Sequence, residues 1–335
     1  MSIKVIRPGL LASIQDLGRY GYQKYGVIVS GAMDSFSLRM ANLLVGNQEG
    51  EAAIEVTMMG TSLQFEEDSL IAITGGNLGP VIEGASVPLW RPVFIKKGSI
   101  LQFTACQSGC RAYVAAAGGF EIPEVMNSKS TYLRGGIGGF DGRALQAGDV
   151  LPIQHKTREA SRLFHYLKKE LGERSFQSVD WYVPAGHLLN AGERIVRVIK
   201  GAEFERFSSS SKASFFDQSF QITHQSDRMG YRLSGPKLQL EQSFELLSEA
   251  VAEGTIQVPQ AGNPIVLLAD RQTTGGYPRI AQIASVDLPV VAQLKPGAKL
   301  RFTEISLEEA EQLYLKREED IEAVKTGLSL KEWSL

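Results

Sequence analysis

Asp270, Arg271, Gln272, Thr273 and Thr274 set an acid, a permanent cation, an amide and two hydroxyls in consecutive positions. Side chains of these types can hold an anion and meet the negative charge that develops on an oxygen during acyl or phosphoryl transfer. Gly275 and Gly276 follow, freeing the backbone to approach a ligand, and Tyr277-Pro278 stiffens the exit. The apolar run Ile265–Ala269 just before them predicts a buried strand, so the polar cluster would be launched from a rigid element. A hairpin whose Asp and Thr satisfy their own backbone has the same composition, and that alternative stays open.

Three further stretches carry comparable residues. Gln15–Asn47 opens as a glycine-punctuated loop bearing Asp16, Arg19, Tyr20, Tyr22 and Tyr25. It continues as a predicted helix with Phe36, Leu38, Met40, Ala41, Leu43 and Leu44 on its apolar face, capped by Ser30 or Asp34 and stopped at Gly46-Asn47. Its N-terminus is either an anion site or an ordinary capped end. Ser128–Arg143 packs Gly135, Gly136, Gly138 and Gly139 between Arg134 and Arg143. Such backbone can cradle phosphate, but it is neither a Walker A loop nor a dinucleotide fingerprint, and a surface loop fits equally. In His224–Leu233, Asp227, Arg228 and Arg232 surround Gly230.

The elements that must position these groups read as mainly β. Between Ala53 and Ile153 short apolar runs recur, each bounded by Gly, Pro, Asn or charges, as in a barrel or sandwich. Ile95–Phe103 (IKKGSILQF) is echoed by Leu294–Phe302 (LKPGAKLRF), and partly by Leu145–Ile153 (LQAGDVLPI), which suggests a doubled β architecture. The expected organisation is a first β domain over 1–154 and a charged helical linker over 155–185. A second β domain follows over 186–305, then a C-terminal helix over 306–335 with Leu313, Leu315, Ile321 and Val324 on one face.

The chain has 335 residues, 43% of them hydrophobic, with a net charge of −2. No basic block points to nucleic acid, and no apolar run is long enough to span a bilayer. The N-terminus lacks a secretory apolar segment, so a cytoplasmic location is expected. Cys106 and Cys110 flank Ser108-Gly109, which reads as a hairpin turn between strands. His155, His165, His187 and His224 lack ligand spacing, so the cysteines are expected to be reduced structural thiols, with no metal site.

Taken together, QDLGR, VSGAMD with ANLLVGN, STYLRGG, DRMGYRL and IVLLADRQTTGGYP resemble the KipA family, also called the allophanate hydrolase subunit 2 or biotin-dependent carboxyltransferase family. Within it, a freestanding chain of this length is most similar to the C-component branch of the bacterial ATP-dependent 5-oxoprolinases. The resemblance covers about residues 1–305 and implies two cyclophilin-like β-barrel domains. It implies ATP and Mg2+, two partners (the KipI-like B component and the A component of 5-oxoprolinase), and 5-oxo-L-proline as the substrate opened to L-glutamate. A chain of this kind is expected to be inert alone.

For that reaction Arg271, Arg19, Arg134 and Arg228 are candidate cations. Gln272, Thr273 and the Gly275-Gly276 backbone are candidate donors. Asp16, Asp34 and Asp270 are candidates to hold the metal or orient substrate, Tyr277 to line the pocket, and Thr274, Gly135 and Gly136 to bind phosphate. Two alternatives stand beside it: a urea carboxylase-like carboxyltransferase, though the chain carries no Met-Lys-Met biotin attachment site, and a regulator that antagonises a KipI-like kinase inhibitor.

Overall fold

The computed structural model describes residues 1–184, 192–242, 244 and 246–331, so His187 and the expected domain boundary at 185/186 lie outside it. The chain forms two compact units, Met1–Arg19 with Ser30–Asn190 and Ile321–Leu335, and Tyr20–Val29 with Ala191–Asp320. Both are mainly β, as the short, evenly spaced apolar runs predict.

The first unit contains two six-stranded sheets. One runs Val150–Pro152, Ser2–Pro8, Thr61–Phe65, Ile100–Phe103, Pro80–Ile82, Ala85–Ser86; the other Phe176–Ser178, Pro92–Ile95, Ser69–Asn77, Ser108–Ala116, Ala53–Thr57, Leu11–Gln15. Alternate residues from both sheets, among them Val5, Leu63, Phe65, Ile71, Val93 and Val114, join in one buried cluster. Burial of each such side chain stabilises by roughly 1.5–3 kcal/mol. Helix α1 (Ser35–Leu44) starts at Asp34, whose carboxylate accepts from the Ser37 N–H at 2.8 Å. Ser30 is not the cap, since it sits four residues earlier with φ 57°. Within the charged segment after Ile153, helix α2 (Arg158–Lys169) buries Ala160, Leu163, Phe164 and Leu167, spaced as one helical face. Its Phe164 ring lies 5.0 Å from Phe94, and Phe176–Ser178 pairs with Pro92–Ile95, so this segment is built into the sheet.

The sequence echo corresponds to one repeated turn. Ser99 N–H donates to Lys96 O, Ala298 N–H to Lys295 O and Asp149 N–H to Gln146 O. Gly98, Gly297 and Gly148 take φ 86°, 89° and 96° at the third position, where a type II turn requires positive φ. Each turn feeds a strand.

The cysteine stretch is not the expected hairpin: the strands on either side of it, Ile100–Phe103 and Ser108–Ala116, belong to different sheets. The first strand ends at Phe103 and the second starts at Ser108, so the connection occupies 104–107. Gly109, with φ 71°, marks a bulge inside the second strand, where the register against Ser69–Asn77 shifts between Ser108 and Ala112. Neither cysteine is in a disulfide.

The second unit is a closed seven-stranded barrel, ordered Arg194–Lys200, Arg279–Ile283, Thr255–Gln257, Ile265–Leu267, Gly230–Ser234, Phe220–Ile222, Lys299–Glu304. Closure comes from the parallel pairing of the first and last of these. Phe215 on helix α3 (Ser209–Asp217) stacks on Phe302 at 4.7 Å, with Phe220 beside them. Helix α4 (Leu288–Ala292) is a single short turn. Helix α5 (Leu307–Ser329) is largely solvated: Ile321 is buried, but Leu315, expected on the packed face, is 52% exposed. Its charges surround it too completely to leave a continuous apolar stripe. No helix among the described residues is long and apolar enough to cross a membrane.

Candidate functional site

In the first unit the cap of α1 leads into a buried polar network. Asp34 Oδ1 and Oδ2 accept from the Ser37 N–H and Oγ at 2.8 and 2.6 Å, while the Asp34 N–H donates to the Tyr113 hydroxyl at 2.8 Å. That hydroxyl donates to Glu55 Oε2 at 2.7 Å, and Met33 N–H donates to the same oxygen at 2.9 Å. Arg111 Nε lies 3.9 Å from Glu55 Oε1, and Thr74 Oγ1 donates to Ser37 O at 2.6 Å. Glu55 and Tyr113 meet because they are opposite one another in the ladder between Ala53–Thr57 and Ser108–Ala116. Burial, then the fields of Glu55 and Asp34, push the Tyr113 phenol well above its ordinary value, so it serves as a donor and not as a base. Glu55, Tyr113, Arg111 and Thr74 escaped the sequence reading. A charged residue between Ile54 and Val56, in a strand buried on both faces, is the signal that marks the place.

Asp16 lies in a dense cradle. Its carboxylate accepts from Gly18 N–H, Lys129 N–H, Ser128 Oγ and Ser130 Oγ, at 2.7, 2.6, 2.8 and 2.5 Å. Arg19, with no exposed surface, donates to the carbonyls of Val125 at 2.8 Å and Ser130 at 2.9 Å. The glycines after it fit tightly. A Cβ at Gly138 would stand 2.3 Å from Ser130 O and one at Gly139 1.8 Å from Thr131 Oγ1, both at positive φ. Those glycines therefore serve close packing of the loop on Ser130–Thr131. Gly135, Gly136 and Arg134 form its exposed tip, between the bridged residues Tyr132 and Ile137. Arg143 forms a bidentate pair with Asp149 at 2.7 and 2.9 Å, which holds the Asp149 carboxyl below its usual range.

In the second unit the predicted strand is present as Ile265–Leu267, and the polar run leaves its end. Asp270 and Arg228 are both buried and pair with each other, Nε to Oδ2 at 2.9 Å and Nη2 to Oδ1 at 3.1 Å. Beyond Asp270 the loop opens. Arg271, Gln272 and Thr273 are half-buried, Thr274 and Gly276 exposed, and Tyr277 is 49% exposed. Arg271 makes long bonds to the carbonyls of Val251 and Leu268, both at 3.4 Å. Desolvation draws its guanidinium below the usual value, against the fields of Glu253 and Tyr20, though an arginine keeps its charge. Tyr20 belongs to this unit, so one residue of each leading motif is brought within electrostatic reach. Desolvation first, then Glu253, raises the Tyr20 phenol although the residue is 62% exposed. Thr274-Gly275 pairs with Glu249-Ala250 as a short ribbon, and a Cβ on Gly275 would meet Gln257 Nε2 at 2.5 Å.

The expected ligands of Mg2+ do not fit a metal site. Asp16 is held by four protein donors, Asp34 by Ser37, and Asp270 by Arg228, each at ordinary hydrogen-bond distance. Two surface pockets of the first unit lie apart from the candidate site residues, one between α1, α2 and the end of α5, where Leu43–Asn47 of the ANLLVGN motif line it, the other beside Tyr166 and Trp181.

Two β units that share these motifs between them define the class. The chain belongs to the carboxyltransferase domain family, subdomains A and B, whose model matches residues 25–304. It is similar to the C subunit of 5-oxoprolinase from Haemophilus influenzae, 37% identical over 307 residues, covering 92% of both chains. The same-named protein of Escherichia coli is 39% identical over 308 residues, covering 92% of this chain and 93% of that one. Among solved structures, the Kluyveromyces lactis urea carboxylase superposes with a TM-score of 0.84 at 30% identity, over 99% of this chain but only 30% of that larger one.

Proposed function

We propose that this chain is the C component of an ATP-dependent 5-oxoprolinase that opens 5-oxo-L-proline to L-glutamate. The observation that carries it is the match over 92% of this chain, at 37–39% identity, to two bacterial proteins of that name, of which it covers 92% and 93%. The partners would be the KipI-like B component and the A component, with the assembly in the cytoplasm and this chain inert by itself.

The chemistry fits the open loop of the second unit. A lactam is an unactivated amide whose nitrogen leaves poorly. Transfer of the γ-phosphoryl of ATP to the lactam oxygen makes the carbonyl carbon susceptible to water. Attack there, cleavage of the ring C–N bond with protonation of the nitrogen, and hydrolysis of the resulting acyl phosphate by a second water yield glutamate and phosphate. Transfer of a phosphoryl group needs fixed cations and donors placed in advance. Arg271 supplies the cation; Gln272, Thr273, Thr274 and the Gly275-Gly276 amides supply donors to the lactam oxygen; Tyr277 lines the opening. In the first unit, Arg134, Gly135 and Gly136 present a second anion-binding tip. Asp16, Arg19, Asp34, Arg228 and Asp270 act by positioning, because each already holds protein groups.

The resemblance in fold to the urea carboxylase supports a second reading, a carboxyltransferase supplied with carboxybiotin by another protein. Copurification with the two partner components, followed by ATP turnover with and without 5-oxoproline, separates the two. Stimulation with glutamate release supports the first. A stable complex that ignores 5-oxoproline but accepts carboxybiotin supports the second. A regulatory role through the KipI-like partner is compatible with either.

A further inference from the structure

Arg279 lies just beyond the open loop, at the start of the barrel strand Arg279–Ile283, and holds two carboxylates at once. Its Nε and Nη2 form a fork on Glu203 at 2.9 and 2.7 Å, and its N–H donates to Glu203 Oε2 at 2.9 Å. Glu203 is buried and its own N–H donates to Arg279 O at 3.3 Å, so this half of the contact is built into the barrel wall. The other half points outward: Nη2 also lies 2.7 Å from Glu249 Oε2, whose side chain is 53% exposed.

Glu249 is no ordinary surface acid. It is directly opposite Gly275 in the two-stranded ribbon, with Ala250 opposite Thr274, and Val251 N–H donates to Thr273 O at 3.2 Å. Arg271 Nε reaches Val251 O on the same strand. The strand Glu249–Ala250 thus pairs with Thr274–Gly275, Val251 after it contacts Thr273 and Arg271, and the Glu249 carboxylate ties this ribbon to the barrel through Arg279.

We propose that Arg279 is a positioning residue that holds the Arg271–Gly276 loop in its reactive geometry through Glu249, while its fork on Glu203 serves the fold. This deepens the 5-oxoprolinase reading and rests on it. A guanidinium suits the task because its planar fork can serve two carboxylates in fixed directions, which a lysine cannot do. Because Glu249 is half exposed, the tie is a modest one, sensitive to salt.

The test removes the outer tie and spares the inner one. In Glu249→Ala the chain keeps its melting temperature, and amide exchange at Thr273–Gly276 in the free chain rises by about two- to fivefold. In the assembled complex kcat falls by about threefold to tenfold with KM for 5-oxoproline within about twofold, as expected when placement and not binding is lost. Glu249→Gln, which keeps an acceptor, recovers part of both. Unchanged exchange and unchanged kcat in Glu249→Ala would overturn the proposal, leaving a surface ion pair. Because exchange is read without substrate, a wild-type complex that ignores 5-oxoproline would refute the activity and leave the positioning claim separately decided.

Discussion

The Asp16 loop of the first unit and the Asp270 loop of the second draw on the same residue types, yet they treat them differently. Around Asp16 most polar groups answer one another, the buried Gln15 Oε1 excepted: a carboxylate with four donors, an arginine with no exposed surface on two carbonyls, glycines pressed against a hydroxyl and a carbonyl. In the second unit that saturation stops at Asp270, which locks Arg228. One residue later Arg271 makes long hydrogen bonds to two carbonyls, and of the amide and hydroxyl residues after it Gln272 and Thr273 are half-buried and Thr274 is exposed. Buried polar groups must be satisfied to be tolerated, whereas a site must keep directed donors for its ligand. On the proposed function the first region is the scaffold and the second the working surface.

The largest way to break this contrast is to empty a saturated centre. Asp16→Ala removes the acceptor of several buried donors, and Asp270→Ala removes the carboxylate that pairs with the buried Arg228 cation. Each is expected to destabilise by about 3–5 kcal/mol, read as a fall in the urea midpoint. A loss under about 1 kcal/mol in either would mean water or rearrangement satisfies the partners, and the scaffold assignment would fail.

Asp34→Ala sharpens the comparison at a smaller scale. Loss of the cap and of the Ser37 contacts is expected to cost about 1–2 kcal/mol, with turnover of the assembled complex retained once the chain is folded. Loss of turnover at unchanged stability would move Asp34 into the chemistry.

A smaller, pH-dependent effect belongs to Glu203. Its hydrogen bonds to Arg279 hold its carboxyl below the usual value of 4.5. The folded value is depressed, so the contribution is fully present above the unfolded value and is lost as pH falls through the folded one. The denaturant midpoint should therefore drop below about pH 4.5, and in Glu203→Gln that drop should be shallower. Parallel pH profiles for the two proteins would remove Glu203 from the acid transition.

What the sequence disclosed follows from range. The Asp34 cap, the strand before Asp270 and the repeated glycine turn at Gly98, Gly148 and Gly297 are set within a few residues, and each is found in the structure. The pairing of Glu55 with Tyr113, 58 residues apart, and of Arg228 with Asp270, 42 apart, depends on strand register, which local pattern does not contain. Gly109 misled for a related reason. Positive φ serves a bulge as well as a turn, and only the neighbouring strand shows which is meant. Whether an arginine is scaffold or site also escapes residue type, as buried Arg19 and half-buried Arg271 show side by side.

The most direct measurement is to compare Arg271→Ala with the wild type for both urea unfolding and 5-oxoproline-stimulated ATP turnover in the complex with the two partner components. Loss of the fixed cation at the transferring phosphoryl group should leave the unfolding midpoint within about 0.5 kcal/mol of wild type and lower kcat by about 100-fold or more. Full turnover in Arg271→Ala, or a loss of stability large enough to explain its inactivity, would contradict the division between a saturated scaffold and an open working loop.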